Sequence, residues 1–127
     1  MLEQLDLLNL MVLDIETVPQ YSTHEQLPEN MQRLWAAKTQ YQRKEETAES
    51  FYERAGIWAE FGKIVCISVG IFTKETPTGF RVKSFAGHDE RELLVKFALM
   101  LKGQSPNLML CAHNGKEFDF PYICRRM

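Results

Sequence analysis

The chain has 127 residues, of which 45% are apolar and 25% charged, with a formal net charge of −2. That length suits one domain, or part of one, and leaves little room for a second core. The composition is that of a soluble globular protein, no apolar run approaches the roughly 20 residues a membrane span needs, and the slight acidity excludes a protein that coats nucleic acid through a strongly basic surface.

The opening segment MLEQLDLLNL has acids where a secretory signal would carry Lys or Arg, and it offers no small-residue cleavage site. The expected location is therefore cytoplasmic, with no membrane partner. Cys66, Cys111 and Cys124 are odd in number, lie in apolar segments and lack C-x-x-C spacing. They suggest neither a disulfide framework nor a zinc site and read as small core residues.

The first element in chain order is an apolar stretch from about Leu8 to Ile15 that runs into Asp14, the pattern of a buried strand with acids at its end. After Pro19 the character changes. Residues from about 20 to 60 read as a helical insertion: Met31, Leu34, Trp35 and Ala37 recur at helical spacing behind Pro28, and a second short helix is expected over Ala48 to Trp58, with Phe51, Tyr52 and Ala55 on one face and Gly62 closing the segment. KIVCISVGIF then reads as a central strand, TKETPTG as a turn and FRVKSFAG as the returning antiparallel partner.

Asp89 is a fitting N-cap for ERELLVKFALMLK, whose Leu93, Leu94, Phe97 and Leu101 form an apolar stripe ended by Gly103. NLMLCAH reads as a further short buried strand, and EFDFPYICRRM opens a helix with Pro121 in its first turn. The order of strand, helical insertion, hairpin, helix, strand and helix predicts an α/β fold whose last strand follows a crossover helix.

Three acid-x-acid pairs occur: Asp14/Glu16, Glu90/Glu92 and Glu117/Asp119. The strand period of two points Asp14 and Glu16 to one side, where they can share a hard cation such as Mg²⁺, which takes one or two protein carboxylates. Glu90 and Glu92 lie in the first turn of a helix and read as ordinary partners of its dipole. His113 to Phe120, HNGKEFDF, sits between a strand end and a helix start, where open α/β sheets tend to place ligands. Asp119 also suits a plain helix cap, and Asn114-Gly115 a plain turn.

Taken together, LDIET followed by Asn-x-x-x-Phe-Asp resembles the first and second motifs of the four-carboxylate, DEDD-type 3′→5′ exonucleases. FGKIVCISVG between them resembles the strand after the first motif in the exonuclease domain of family B DNA polymerases and their stand-alone relatives. The resemblance implies a ribonuclease H-like mixed sheet, an antiparallel hairpin plus parallel strands with flanking helices, incomplete at its C-terminal end. It implies that Asp14, Glu16 and Asp119 are catalytic and bind two divalent cations, Mg²⁺ or Mn²⁺. Asp14 would be shared by both ions, Glu16 would hold the one that activates water, and Asp119 would support the other. Asn114 would orient the substrate end and Phe118 pack beneath the site, with Ile15 and Thr17 also lining the substrate. The implied partner is nucleic acid, a single-stranded DNA 3′ end, cut to nucleoside 5′-monophosphates.

The family's third motif supplies a fourth acid a few residues after a Tyr or His, downstream of the second motif. The expectation is therefore the front part of a single exonuclease domain, with weak or absent nuclease activity for these 127 residues alone.

Other residues read more plainly. His24, His88 and His113 have no ligand spacing, although His113 adjoins the motifs. Trp35, Tyr41, Phe51, Tyr52 and Trp58 suit packing better than base stacking. Arg33, Lys38, Arg43, Lys44 and Arg54 alternate with glutamates as on a solvated face. Two alternatives stand beside the nuclease. A non-catalytic ribonuclease H-like module binding nucleic acid or protein would leave Asp14 and Glu16 unable to take up Mn²⁺. A phosphohydrolase with Asp14 as nucleophile would form an aspartyl-phosphate.

Overall fold

A computed structural model describes residues 5–75 and 79–127. The chain divides into two compact units, Met1–Glu16 with Ile64–Met127, and Thr17–Lys63.

The first unit is built on a four-stranded sheet. Strand β1 spans Leu10–Pro19 and follows a 3-10 turn at Leu7–Asn9, where the Asp6 side chain accepts the Leu8 amide. Its side chains alternate as a strand requires: Met11, Leu13 and Ile15 are buried, Asp14 and Glu16 exposed. The acids do not end the strand as expected, because β1 continues past them to Pro19.

Strands β2, Gly62–Phe72, and β3, Phe80–Ala86, form the expected antiparallel hairpin, in register from Cys66 opposite Ala86 to Phe72 opposite Phe80. The Thr73 amide donates to the Gly79 carbonyl at 2.9 Å, and Gly79 has φ +65°, a conformation that costs glycine little. Residues 76–78 of the expected TKETPTG turn lie outside the described residues.

Helix α1 of this unit's crossover is Glu90–Lys102. Asp89 caps it by accepting the Glu92 amide at 3.0 Å, and Gly103 follows its last turn. Leu93, Leu94 and Phe97 are buried, with Phe97 edge-on to Phe85 of β3 at 5.9 Å. The crossover delivers β4, Met109–Cys111, parallel to β1, with Leu10 opposite Met109 and Val12 opposite Cys111. The sheet order is β3-β2-β1-β4. Helix α2, Asp119–Arg126, follows.

Two expectations are corrected. NLMLCAH is not a buried strand: it pairs at the sheet's edge, so Met109, Leu110 and Cys111 are all exposed. Nor are the cysteines core residues. Cys111 shares that edge, Cys124 is exposed on α2, Cys66 is half-buried, and all three are free thiols.

The second unit, Thr17–Lys63, has an aromatic core of its own. Helix α3 spans Glu29–Thr39 with Pro28 at its N-cap. Met31, Trp35 and Thr39 make its inward stripe at i, i+4 and i+8, which leaves Leu34, expected on that stripe, 56% exposed. The second helix is α-helical only as α4, Ala48–Phe51, capped by Thr47 accepting the Ser50 amide at 3.1 Å. It tightens to a 3-10 helix over Tyr52–Ile57, whose three-residue turn lines up Tyr52 and Ala55, both buried. Gly62 does not close the segment as a helix stop but begins β2.

Trp35 is fully buried, meets Tyr52, Trp58 and Phe61 edge-on at 5.1–5.5 Å, and donates its indole N–H to the Ala48 carbonyl at 2.8 Å. Most of the insertion's aromatics are thus spent on packing, whereas Tyr41, 92% exposed, and Tyr21 face solvent. Several of its cations are also engaged locally. Arg43 donates to the Thr39 hydroxyl and the Ala36 carbonyl, Lys38 pairs with Glu60, and Arg54 pairs with Glu46 while lying over the Phe51 ring. Among the described residues no helix is long and apolar enough to cross a membrane.

Trp35→Ala is expected to destabilise the chain by about 3–5 kcal/mol, the usual cost of emptying a large aromatic site. Urea unfolding followed by far-ultraviolet circular dichroism measures it, and a loss below about 1 kcal/mol would mean that the aromatic cluster is not a core.

Candidate functional site

The site begins with the alternation of β1. Ile15 points inward, so Asp14 and Glu16 on either side of it both face outward into solvent. Pairing with β4 stops at Val12, and the acids lie just beyond that point on the same strand. The two parallel strands run in one direction, so the segment leaving β4 emerges beside the acidic part of β1.

That segment, 112–118, is a compact run of turns with specific backbone demands. Asn114 has φ +54°, a left-handed conformation that Asn tolerates better than most residues, and its carbonyl accepts the amides of Glu117 and Phe118 at 3.0 and 3.1 Å. Gly115 is buried, and a Cβ there would lie 2.6 Å from the Ala112 Cβ and 2.9 Å from the Phe120 ring. Phe118 is half-buried against Tyr122, ring centroids 5.4 Å apart. Asn114 and His113 are exposed.

The turns deliver Asp119 to the first position of α2, where it is 2% exposed. Its Oδ1 accepts the Ile15 amide at 3.2 Å, a contact between residues 104 positions apart. The second motif is therefore fastened to the first at the peptide between Asp14 and Glu16.

Burial raises the Asp119 pKa above the ordinary carboxylate value; its own amide and that of Ile15 pull the other way, Asp14 adds to the rise, and His113 offsets part of it. Asp14 is thus near enough to be felt as a like charge. Among the described residues, no Lys or Arg forms an ion pair with Asp14, Glu16 or Asp119.

The structure therefore brings Asp119 to Asp14 and to the Ile15 backbone, with Asn114 and Phe118 in the turn that carries Asp119. It does not gather three carboxylates into one cage: among the described residues, no group of three or more His, Cys, Asp or Glu side chains is arranged to hold a metal ion. Ile15 is buried and its amide is donated to Asp119, and Thr17 is half-buried at the start of the other unit. The donor chemistry nonetheless fits a hard divalent cation: all-oxygen ligands, one of them desolvated and lacking a basic partner.

Sequence reasoning missed one participant. Glu90, read as an ordinary first-turn acid, accepts the Ile64 amide at 2.8 Å and pairs with Arg126 of α2. The available signal was the spacing of Arg126 from Asp119, which puts both on one helix face.

A mixed four-stranded sheet of this order, flanked by helices, is a ribonuclease H-like arrangement. The family model for the exonuclease domain of DNA polymerase family B matches residues 3–127, and the chain belongs to that family. It is a nuclease domain, and its substrate is nucleic acid. No curated protein and no solved structure matches it.

Two outcomes follow from this geometry. A raised folded pKa makes the Asp119 contribution favourable below the unfolded value of about 3.9 and lost as pH rises through the folded value. Asp119→Asn keeps an oxygen for the Ile15 amide and removes the charge, so it is expected to raise Tm at pH 7, with the gain vanishing below about pH 4. Thermal unfolding at both pH values checks this; a lower Tm at pH 7 would contradict a destabilising charge. Gly115→Ala is expected to cost about 1–3 kcal/mol through overpacking, read from denaturant midpoints.

Proposed function

We propose that this chain belongs to a single exonuclease domain, with a helical insertion at about residues 20–60, and that the full-length protein removes nucleotides from the 3′ end of single-stranded DNA. Water attacks the terminal phosphodiester phosphorus, the bond to the 3′ oxygen of the preceding nucleotide breaks, and a nucleoside 5′-monophosphate leaves. Asp14, Glu16 and Asp119 would hold two divalent cations, Mg²⁺ or Mn²⁺, which when bound supply a more acidic water and charge stabilisation for the leaving oxygen.

One observation carries the reading: the Asp119 carboxylate is bonded to the amide between Asp14 and Glu16, and among the described residues no Lys or Arg forms an ion pair with it. Each protein group then has a distinct task. Asp119 is held by the Ile15 amide and keeps one carboxylate fixed, while Asp14 and Glu16 stay exposed to ligands from solvent. Asn114, exposed on a left-handed turn, offers its amide to the terminal nucleotide, and Phe118 supports the floor through Tyr122.

Titration with Mn²⁺ tests the assignment. Paramagnetic broadening is expected first at the amides of Asp14, Ile15, Glu16 and Asp119. Asp14→Ala should weaken binding at least about tenfold, since even outer partners of a metal site are worth that much. Broadening centred elsewhere, or an unchanged affinity in the variant, would remove the cation site. Where hydrolysis is measured, a 3′-labelled strand should give labelled nucleoside 5′-monophosphate as first product, and a labelled 3′-monophosphate would contradict the bond assigned.

A further inference from the structure

Helix α2 presents one stripe to the rest of its unit. Asp119, Tyr122, Ile123 and Arg126 recur at the spacing of a single helix face, and the inner two are buried apolar side chains. Both ends of this stripe are tied by polar groups. At the first, Asp119 takes the Ile15 amide of β1 at 3.2 Å. At the other, Arg126 gives Nε to Glu90 Oε1 at 2.9 Å and Nη2 to Glu90 Oε2 at 2.5 Å. Glu90 Oε1 also accepts the Ile64 amide of β2 at 2.8 Å. The helix is therefore tethered, two turns apart, to backbone amides of adjacent strands.

We propose that Glu90 and Arg126 are positioning residues for the acid site: their two-point contact sets the roll of α2 and so holds Asp119 against β1 beside Asp14. The inference rests on the reading of Asp14, Glu16 and Asp119 as cation ligands. Burial of Tyr122 and Ile123 favours docking of α2 but is non-directional, so it fixes the roll weakly. A guanidinium paired through two nitrogens to one carboxylate is directional, and this pair is mostly shielded, its side chains 22% and 15% exposed. The neighbouring Glu92–Lys96 pair lies within the crossover helix and is exposed, which makes it a suitable control.

The test compares Arg126→Met, Arg126→Lys and Lys96→Met by amide hydrogen exchange and Mn²⁺ titration. In Arg126→Met, exchange of the Ile15 amide should accelerate relative to the β2–β3 amides. Mn²⁺ affinity should fall about tenfold, the low end for residues that orient metal ligands. Arg126→Lys keeps the charge but not the fork and should recover only part of both; Lys96→Met should change neither. If Arg126→Met does not fold, Glu90→Gln, which retains an oxygen for the Ile64 amide, takes its place with the same readouts. A lowered Tm with Ile15 protection and Mn²⁺ affinity unchanged would overturn the proposal and leave the pair a structural tie alone. Faster Ile15 exchange in Arg126→Met, from a wild-type chain that binds no Mn²⁺, would support the tether while sinking the cation reading.

Discussion

The hydrogen bond from the Ile15 amide to the Asp119 carboxylate is the constraint around which the sheet unit is arranged. It joins β1 to α2 across most of the chain's length, and it can form only if three earlier conditions hold. β1 must bury Ile15, β4 must run parallel to β1, and the turns after β4 must deliver α2 with its first residue facing inward. The crossover helix satisfies the second condition, because a parallel neighbour cannot be reached by a tight turn. Asn114 and Gly115 satisfy the third, one by accepting a left-handed backbone and the other by lacking a side chain where Ala112 and Phe120 close in.

The two units reach stability by different means. Thr17–Lys63 is organised around one indole, with Tyr52, Trp58 and Phe61 edge-on to it and its N–H satisfied by a main-chain carbonyl. The sheet unit instead combines a largely aliphatic core, including Met11, Leu13, Ile64, Ile67 and Leu93 beside the Phe85–Phe97 ring pair, with a few long-range polar ties that reach strand amides. Apolar packing supplies most of the free energy of such a core but little orientation. Directional ties are concentrated where an acid has to be aimed.

Much of this was legible in the sequence because the signals were local. The hairpin announced itself through β-branched runs, the crossover helix through Asp89, its apolar stripe and Gly103, and the acid pair through the strand period. What failed to show was whatever depended on tertiary neighbours. The exposure of Met109, Leu110, Cys111 and Cys124 follows from an edge position and an outer helix face, which apolar composition does not encode. Leu34 and Trp35 are adjacent and both apolar, and only the cluster formed with Phe51, Tyr52 and Phe61 decides which one turns inward. Glu90 looked like any first-turn acid because its partners, Ile64 and Arg126, are 26 and 36 positions away.

The same distinction separates the two readings open for Asp119. A helix cap lies just outside the helix, accepts an amide two or three residues ahead and needs little burial. Asp119 instead occupies the first helical position, is 2% exposed, and gives its carboxylate to the amide of a strand from the other end of the chain. Helix formation alone gives no reason to desolvate a carboxylate, and burial raises the Asp119 pKa against the pull of its own amide, the Ile15 amide and His113. A nearby Asp14 adds to that rise rather than relieving it. On the proposed reading the compensating charge would come from a bound cation, a role an amide side chain could not fill although it would make the same hydrogen bond without the penalty.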